Sequence, residues 1–174
     1  MRHLPPLRAA WALRGEQASV PISGKNARRS LFGTIDLRNG RRVLMPSAHQ
    51  CLGDYHRFLR RLRAGLGGCG ALWLLLDRHG SHRSPSSLRL ACALDIRLLW
   101  LPRQSPKLNP LDQLWGGLKN DLAANRQFAS IDELAGHAEE WVRSLSAKQT
   151  LRRAGLLSKN CWLKQVRKTI CSFT

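Results

Sequence analysis

The fold of this chain is decided by one stretch near its middle: LLWLPRQSPKLNPLDQLWGGLK, residues 98–119. The stretch opens with the end of an apolar strand, predicted over 96–101 and broken by Pro102. After a loop, Asn109 is placed to act as a helix N-cap, with Pro110 at the first helical position. Leucines and a tryptophan then recur at helical spacing. The pattern predicts strand, loop and helix, with Asp112 in the first turn of that helix.

Immediately upstream lies another predicted strand, which is followed by another predicted helix. An apolar run over 71–76 ends at Asp77, and a helix is predicted over 86–94 before the strand at 96–101. Strand, helix and strand in this order predict a parallel crossover. Because the run over 71–76 is apolar at every position, we expect a strand buried on both faces between helices.

Towards the N-terminus the sequence predicts short antiparallel strands. Runs at 11–13 and 19–22 end at Gly15 and Ser23-Gly24. Runs at 31–37 and 41–45 flank Asn39-Gly40, a dipeptide that favours a two-residue type I′ hairpin turn. The first third is therefore expected to be an antiparallel meander, followed by a helix over 52–66.

Downstream, Ser130-Ile131-Asp132-Glu133 is a capping-box pattern that opens another helix. The remainder, from 148 to 174, is basic and is predicted to be partly helical. A chain of 174 residues suits one hydrophobic core. We expect one α/β domain over residues 1–146 and a basic C-terminal extension over residues 147–174.

The charge of the chain points to a polyanionic partner. Twenty-nine Lys and Arg residues oppose 11 Asp and Glu, a formal net charge of +18, which favours binding to nucleic acid phosphates. The longest apolar run is too short to span a membrane, and no membrane partner is expected. Five cysteines without a C-x-x-C pair argue against a zinc site.

Two groups of basic residues are candidates for contact with DNA. The first lies on the predicted helix over 52–66, where a charged run is equally consistent with an ordinary solvated face. The second lies in the loop before Asn109. The candidates are Arg57, Arg60, Arg61, Arg63, Arg103 and Lys107.

Two carboxylates stand where functional acids are found. Asp77 ends a buried strand, and Asp112 lies near the positive end of a helix dipole. Mg²⁺ is commonly held by one or two carboxylates plus a substrate phosphate, so an acidic pair in a basic protein suits phosphodiester chemistry. The alternative is that Asp77 caps a turn and Asp112 caps its helix.

Residues 98–119 resemble the signature of the mariner-related bacterial insertion-sequence transposases of the DDE superfamily, roughly L-P-x-x-S-P-x-L-N-P-[IL]-[ED]-x-x-W-x-x-L-K. Leu74-Leu75-Leu76-Asp77 followed by His82 resembles the strand of that family with its second catalytic aspartate. The resemblance covers about residues 5–160. It implies a ribonuclease H-like mixed sheet flanked by helices, catalytic and metal-binding roles for Asp77 and Asp112, and Mg²⁺ or Mn²⁺ as cofactor.

The pattern is broken at the N-terminal side. The family carries its first catalytic aspartate on a central strand upstream of the segment that Trp11 to Gly15 resembles, and no acidic residue precedes Trp11. Asp36 and Asp54 are substitutes by residue type only. We therefore expect the first central strand to be missing, either in a truncated or decayed transposase or because the true start of the reading frame lies upstream.

The resemblance implies a DNA transposase or endonuclease core that cleaves and transfers strands, acting on DNA in the bacterial cytoplasm at the nucleoid. A homodimer is one option for its assembly. The alternatives are a catalytically inactive DNA-binding remnant and an unrelated basic nucleic-acid-binding protein. Auxiliary candidates are His82, Asn109 and Lys119. A hydrogen-bonded structural role suits His82 equally well, and a Ser81–His82–Asp77 hydrolase triad is disfavoured because no nucleophile elbow surrounds Ser81.

Overall fold

The computed structural model describes residues 1, 3, 5–9, 11–16, 19–22, 24, 26–66 and 70–165. Within these ranges two small sheets are surrounded by helices. The strands and helices are β1 (Ser30–Ile35), β2 (Arg42–Ser47), α1 (Leu52–Gly65), β3 (Leu72–Leu76), α2 (Gly80–Arg83), α3 (Pro85–Ala93), β4 (Ile96–Trp100), α4 (Pro110–Leu118), α5 (Ile131–Ser144) and α6 (Ala147–Arg153). A 3₁₀ turn at Pro106–Leu108 precedes α4, and a π-helical turn at Lys119–Ala123 extends it.

The β3–α3–β4 unit confirms the predicted parallel crossover. Leu72 pairs with Ile96 and Leu76 with Trp100 in a parallel register. Helix α3 begins at Pro85 because the Ser84 side chain accepts a hydrogen bond from the Ser87 backbone N–H. This unit brings the carboxyl ends of β3 and β4 to the same edge.

Strand β3 is buried on one face and only partly covered on the other, where Leu75 packs against the cluster around Leu151, so the expectation of burial on both faces was wrong for the second face. Leu74 and Leu76 are buried against α1 and α3, whereas the Trp73 side chain is 57% exposed and the Arg97 guanidinium lies over its ring. On the same face, the Leu99 side chain is 41% exposed.

The hairpin β1–β2 confirms the predicted antiparallel pairing, but its turn differs from the prediction. The loop runs from Asp36 to Arg41, and among its residues only Gly40 has a positive φ, of 73°. A type I′ turn needs two positive φ angles. Instead, the Asp36 carboxylate accepts the Arg38 backbone N–H at 2.9 Å, and the Asn39 side chain accepts that of Arg41.

The two strands predicted at 11–13 and 19–22 were wrong, since these residues have no strand structure. Trp11 is fully exposed and Leu13 is 73% exposed, so neither run packs on a sheet. In its described residues, the first third of the chain thus contributes one hairpin and no meander.

Four hydrophobic clusters hold the elements together. The largest joins α1 to β3, β4 and α3, and a second joins α4 to α5 around Leu114 and Val142. The C-terminal part contributes a cluster of Leu151, Ala154, Leu156 and Leu163, packed on Ile35, Leu37 and Leu75. The domain boundary expected at residue 146 stays a prediction.

Candidate metal and DNA site

Asp77 leaves the end of β3 into a short turn that fixes one of its carboxylate oxygens. Oδ1 of Asp77 accepts a hydrogen bond from the His79 backbone N–H at 3.2 Å and lies 2.8 Å from Nδ1 of His82. The Asp77 side chain is nevertheless 60% exposed. The carboxylate is therefore oriented by its own turn while it faces the solvent.

Asp112 lies in the first turn of α4, as predicted. The Asn109 side chain caps this helix by accepting the Leu111 backbone N–H at 3.1 Å, and the Asn109 carbonyl accepts that of Asp112. Burial, and then the negative charge of Asp77, raises the pKa of the Asp112 carboxyl, while Lys119 acts in the opposite direction. Among the described residues, no side-chain hydrogen bond or ion pair engages the Asp112 carboxylate.

The structure brings the two acids to one place. Asp77 and Asp112 both line a cavity of about 460 Å³ between the end of β3 and the loop before α4. They also line a second, inner cavity that continues between the strands. Asn109 lines both cavities.

The donor set at this place consists of hard oxygen atoms. In the ranges that the structure describes, no group of three or more His, Cys, Asp or Glu side chains is arranged to hold a metal ion. Mg²⁺ and Mn²⁺ accept one or two protein carboxylates with water and phosphate oxygens in the remaining positions, so the pair fits such an ion.

His82 supports Asp77 and is itself largely enclosed. Its ring lies 4.5 Å from that of Tyr55, centroid to centroid, and its side chain is 16% exposed. Burial lowers the pKa of His82 despite the opposing influence of Asp77. A neutral imidazole with its proton on Nδ1 donates a hydrogen bond to Asp77. This contact is equally consistent with a purely structural role for His82 and with an auxiliary role at the metal site.

The rim of the cavity around the acids is basic. Arg103, predicted from the sequence, lines it together with Arg78 and Arg83, which the sequence analysis missed. The signal for these two was their position in the segment after β3, Arg78 next to Asp77 and Arg83 at the end of α2. Lys107 is exposed on the 3₁₀ turn of the same loop, and Lys119 acts electrostatically on Asp112.

The arginines of α1 form a separate group. Arg60 and Arg61 are exposed, Arg63 donates to the Gly70 carbonyl at 2.8 Å, and Arg57 is paired with Asp54. None of the four lines the cavity that holds the acidic pair. Their contact with DNA stays a prediction.

The two substitute acids are occupied elsewhere. The Cys51 thiol and the Arg57 guanidinium hold the pKa of the buried Asp54 carboxyl well below its usual range. Asp36 binds the turn of the hairpin. Neither Asp36 nor Asp54 lines the cavities shared by Asp77 and Asp112.

The fold is that of the ribonuclease H-like α/β class, as solved structures show. The chain superimposes on the Mos1 strand transfer complex with a TM-score of 0.69 and 17% identity, covering 95% of this chain and 50% of that one. It superimposes on the Mos1 mariner paired-end complex with Mn with a TM-score of 0.68 and 16% identity, covering 95% of this chain and 51% of that one.

This chain belongs to the DDE superfamily endonucleases, whose family model matches residues 2–135. It is 24% identical over 143 residues to the IS630 uncharacterized 39 kDa protein of Shigella sonnei, covering 82% of this chain and 42% of that protein. It is 34% identical over 64 residues to the uncharacterized protein y4pE/y4sA of Sinorhizobium fredii, covering 37% of this chain and 45% of that protein. The chain spans less than half the length of these relatives. No helix in the described ranges is long and apolar enough to cross a membrane.

Proposed function

We propose that this chain is the catalytic core of a DNA transposase, which cleaves and transfers phosphodiester bonds with a divalent cation held by Asp77 and Asp112. One observation carries the proposal: the two carboxylates line a single cavity, where burial and then the charge of Asp77 raise the pKa of Asp112. Two carboxylates that repel each other at one cavity are a natural site for Mg²⁺ or Mn²⁺.

The residues around this cavity have distinct roles in phosphodiester cleavage and transfer. Asp77 and Asp112 hold the metal, which when bound supplies activation of the attacking oxygen and stabilisation of the leaving oxygen. His82 orients Asp77 through Nδ1, and Asn109 fixes the first turn of α4 and hence Asp112. The guanidinium groups of Arg78, Arg83 and Arg103 neutralise DNA phosphates at the rim. In a bacterium, the substrate of such an enzyme is the DNA of the nucleoid.

A second candidate is a DNA-binding remnant without catalysis. It is favoured by one observation, the lack of a third metal-binding side chain beside the pair among the described residues. An unrelated basic nucleic-acid-binding protein is disfavoured, because it requires Asp77 and Asp112 to lie apart.

The test is nicking of supercoiled DNA and binding of Mn²⁺, measured together. We expect Mn²⁺ to bind the wild-type chain and to lose affinity about tenfold or more in Asp77→Asn and in Asp112→Asn, because each removes an anionic ligand. Asp132→Asn is the matched control, since Asp132 is paired with Arg29 away from the cavity.

Metal-dependent nicking that disappears in Asp77→Asn supports the transposase. DNA binding with a steep salt dependence, but without nicking at any metal concentration, supports the remnant. Equal Mn²⁺ affinity in wild type, Asp77→Asn and Asp132→Asn contradicts the metal site.

A further inference from the structure

Four arginine side chains surround one cavity at the turn end of the β1–β2 hairpin. The cavity has a volume of about 470 Å³ and lies between the start of β2, the second half of α1 and the last turn of α5. The arginines are Arg41, Arg42, Arg61 and Arg143. Val43, Leu44 and Gly65 complete the lining, and no described Asp or Glu belongs to it. This cavity is called the arginine pocket below.

The arginine pocket lies at the opposite end of β3 from the acidic pair. Arg42 pairs with Ile35 at the turn end of the hairpin, and Arg41 lines a neighbouring cavity together with residues 71–74 at the start of β3. Asp77 follows the end of β3, and five residues of strand span roughly 16 Å. Among the described residues, the arginine pocket shares none with the cavity of about 460 Å³ that holds the acidic pair.

Arg42 is held in the arginine pocket by neutral partners. Its guanidinium donates to the buried hydroxyl of Thr150, and its Nη atoms lie 3.5 Å from the carbonyl oxygens of Ser146 and Arg143. Burial lowers the pKa of the Arg42 guanidinium, and none of these three partners offers a negative charge to offset it. They therefore hold a positive charge in place without neutralising it.

One carboxylate opposes the charge of the arginine pocket. All 11 Asp and Glu residues of the chain are among the described residues, and of these only Glu139 forms an ion pair with a pocket arginine, at 3.3 Å from Arg143. Arg41 donates to the Gly65 carbonyl at 3.3 Å. Arg61 is exposed, and in the described part of the chain its side chain has no hydrogen bond or ion pair. Four guanidinium groups against one carboxylate leave an excess of three positive charges, which attracts an anion from outside.

The chemistry of the arginine pocket suits phosphate groups on a polymer. A planar guanidinium can give two parallel hydrogen bonds to the oxygens of one phosphate. Three excess charges within one cavity match a ligand with closely spaced negative charges, and duplex DNA carries one negative charge per roughly 1.7 Å of its axis. Arg41, Arg61 and Arg143 are all exposed, so a polymer can reach the pocket from the surface.

We propose that the arginine pocket binds backbone phosphates of DNA, at a place roughly 16 Å or more from the acidic pair. The identity of the polymer rests on the proposed function, but binding in the pocket needs neither the metal nor cleavage. Arg42 is the fixed contact, and Arg61 and Arg143 are the mobile side chains at the mouth. DNA held in this way stays bound whether or not a cation occupies the acidic pair.

Other occupants fit less well. A second copy of the chain carries the same formal net charge of +18 and is repelled. A carboxylate at the end of the chain, after Thr174, would supply a single negative charge against an excess of three. An acidic segment of another protein would need several successive carboxylates to match the charge density of DNA.

The first test maps the contact by modifying arginines with phenylglyoxal in the full chain without metal. We expect a duplex of about 20 base pairs, in about 50 mM salt, to slow the modification of Arg61 and Arg143 about fivefold or more, as located by peptide mass spectrometry. Arg89 is the matched control, because it is exposed on α3 and lines neither the arginine pocket nor the acidic cavity. Equal protection of all three arginines, or protection of none, overturns the proposal.

Arg61→Gln and Arg143→Gln measure what the arginine pocket contributes to DNA affinity. We expect each to reduce the slope of log affinity against log salt concentration by about 0.9, because one phosphate contact is lost. Relative to 1 M salt, this slope corresponds to about eightfold weaker binding at 0.1 M, and to about 60-fold in the double variant. An equal decrease in Arg89→Gln, or wild-type slopes in both pocket variants, contradicts a specific site.

Glu139→Gln tests the arginine pocket in the opposite direction. Removing the one opposing carboxylate frees Arg143, so we expect about two- to fivefold tighter binding of the duplex. Glu140→Gln is the matched control: it makes the same charge change at the next position of α5, where the carboxylate contacts His137. Equal gains in the two variants would show that only net charge matters and would rule out the pocket.

Three further results would assign the arginine pocket to another ligand and so overturn the proposal. Protection of Arg61 by poly-glutamate that equals protection by the duplex, at the same concentration of charge, indicates an acidic protein. Protection by inorganic phosphate without protection by the duplex indicates a free anion. Faster modification of Arg61 in a version that ends at Gln165, before any ligand is added, indicates the chain's own C-terminal residues.

The arginine pocket and the metal site can fail separately. Protection of Arg61 is measured on the wild-type chain without metal, and Mn²⁺ binding is measured on the same chain without DNA. Mn²⁺-dependent nicking without protection of Arg61 contradicts the pocket and leaves the proposed function intact. Protection of Arg61 without Mn²⁺ binding supports the pocket and contradicts the metal site.

Discussion

The negative charge of Asp77 acts on the carboxyl of Asp112, and with burial it raises the pKa of that carboxyl. Asp77 ends β3 and Asp112 begins α4, so two elements far apart in sequence hold like charges at one cavity. This relationship makes the site costly for the chain alone and favourable for a cation.

We expect Asp112→Asn to stabilise the metal-free chain at neutral pH. The folded-state pKa of Asp112 lies above its ordinary value of 3.8, so wild-type stability falls as pH rises from 3.8 through the folded pKa. The gain should be within about 1 kcal/mol, because Asp112 is exposed enough for solvent screening. Urea unfolding at neutral pH measures it, and the difference should vanish below pH 3.8. A loss of stability at neutral pH would contradict the repulsion.

His82 should make the chain sensitive to mild acid. Burial holds its folded-state pKa below the ordinary 6.5, so the unfolded chain binds more protons and stability falls as pH drops below 6.5. We expect His82→Gln to weaken this dependence in urea midpoints measured at pH 5 and pH 8. His49→Gln, at an exposed position, is the matched control and should keep the wild-type slope.

Gly40 is required by the hairpin turn. It has a φ of +73°, and a Cβ there would lie 2.6 Å from the Ala147 carbonyl oxygen. We expect Gly40→Ala to cost about 2 kcal/mol or more of unfolding free energy, from left-handed strain together with the clash. Gly15→Ala, at a φ of +91° with no atom within 4 Å, should cost only the strain, about 1 kcal/mol. Equal losses in the two variants would show that the Ala147 contact is unimportant.

Trp162 links the C-terminal part to the loop that precedes α4. Its Nε1–H donates to the Leu108 carbonyl at 3.1 Å. We expect Trp162→Phe to lose about 0.5–1.5 kcal/mol, the contribution of one hydrogen bond, and to speed amide exchange around Asn109. Trp11→Phe, at a fully exposed side chain, should change neither measurement.

The crossover unit and its acids could be predicted because local chemistry specifies them. Asn109 and Pro110 begin a helix through a cap and a fixed φ, and the short apolar runs before Asp77 and Pro102 flank a helix, which is the pattern of a parallel crossover. Asp77 and Asp112 follow directly from these boundaries, and their shared cavity follows from the parallel order.

The other features of the fold and the site depend on tertiary contacts, which a local sequence pattern does not reveal. The run at Trp11 reads as a strand, but among the described residues it pairs with no strand, and the Trp11 side chain is exposed. The Asp36 and Asn39 side chains decide the hairpin turn by bonding the backbone. Arg78 and Arg83 become part of the acidic site only through the turn after β3, and so were not foreseen.

The packing of Leu151, Leu156 and Leu163 on Ile35, Leu37 and Leu75 sets a practical limit on shortening the chain. A version ending near residue 146 would lose this cluster and expose Ile35, Leu37 and Leu75 to water. Expression of a minimal core should therefore retain residues up to at least Leu163, even though the segment is rich in lysine and arginine and resembles a dispensable tail.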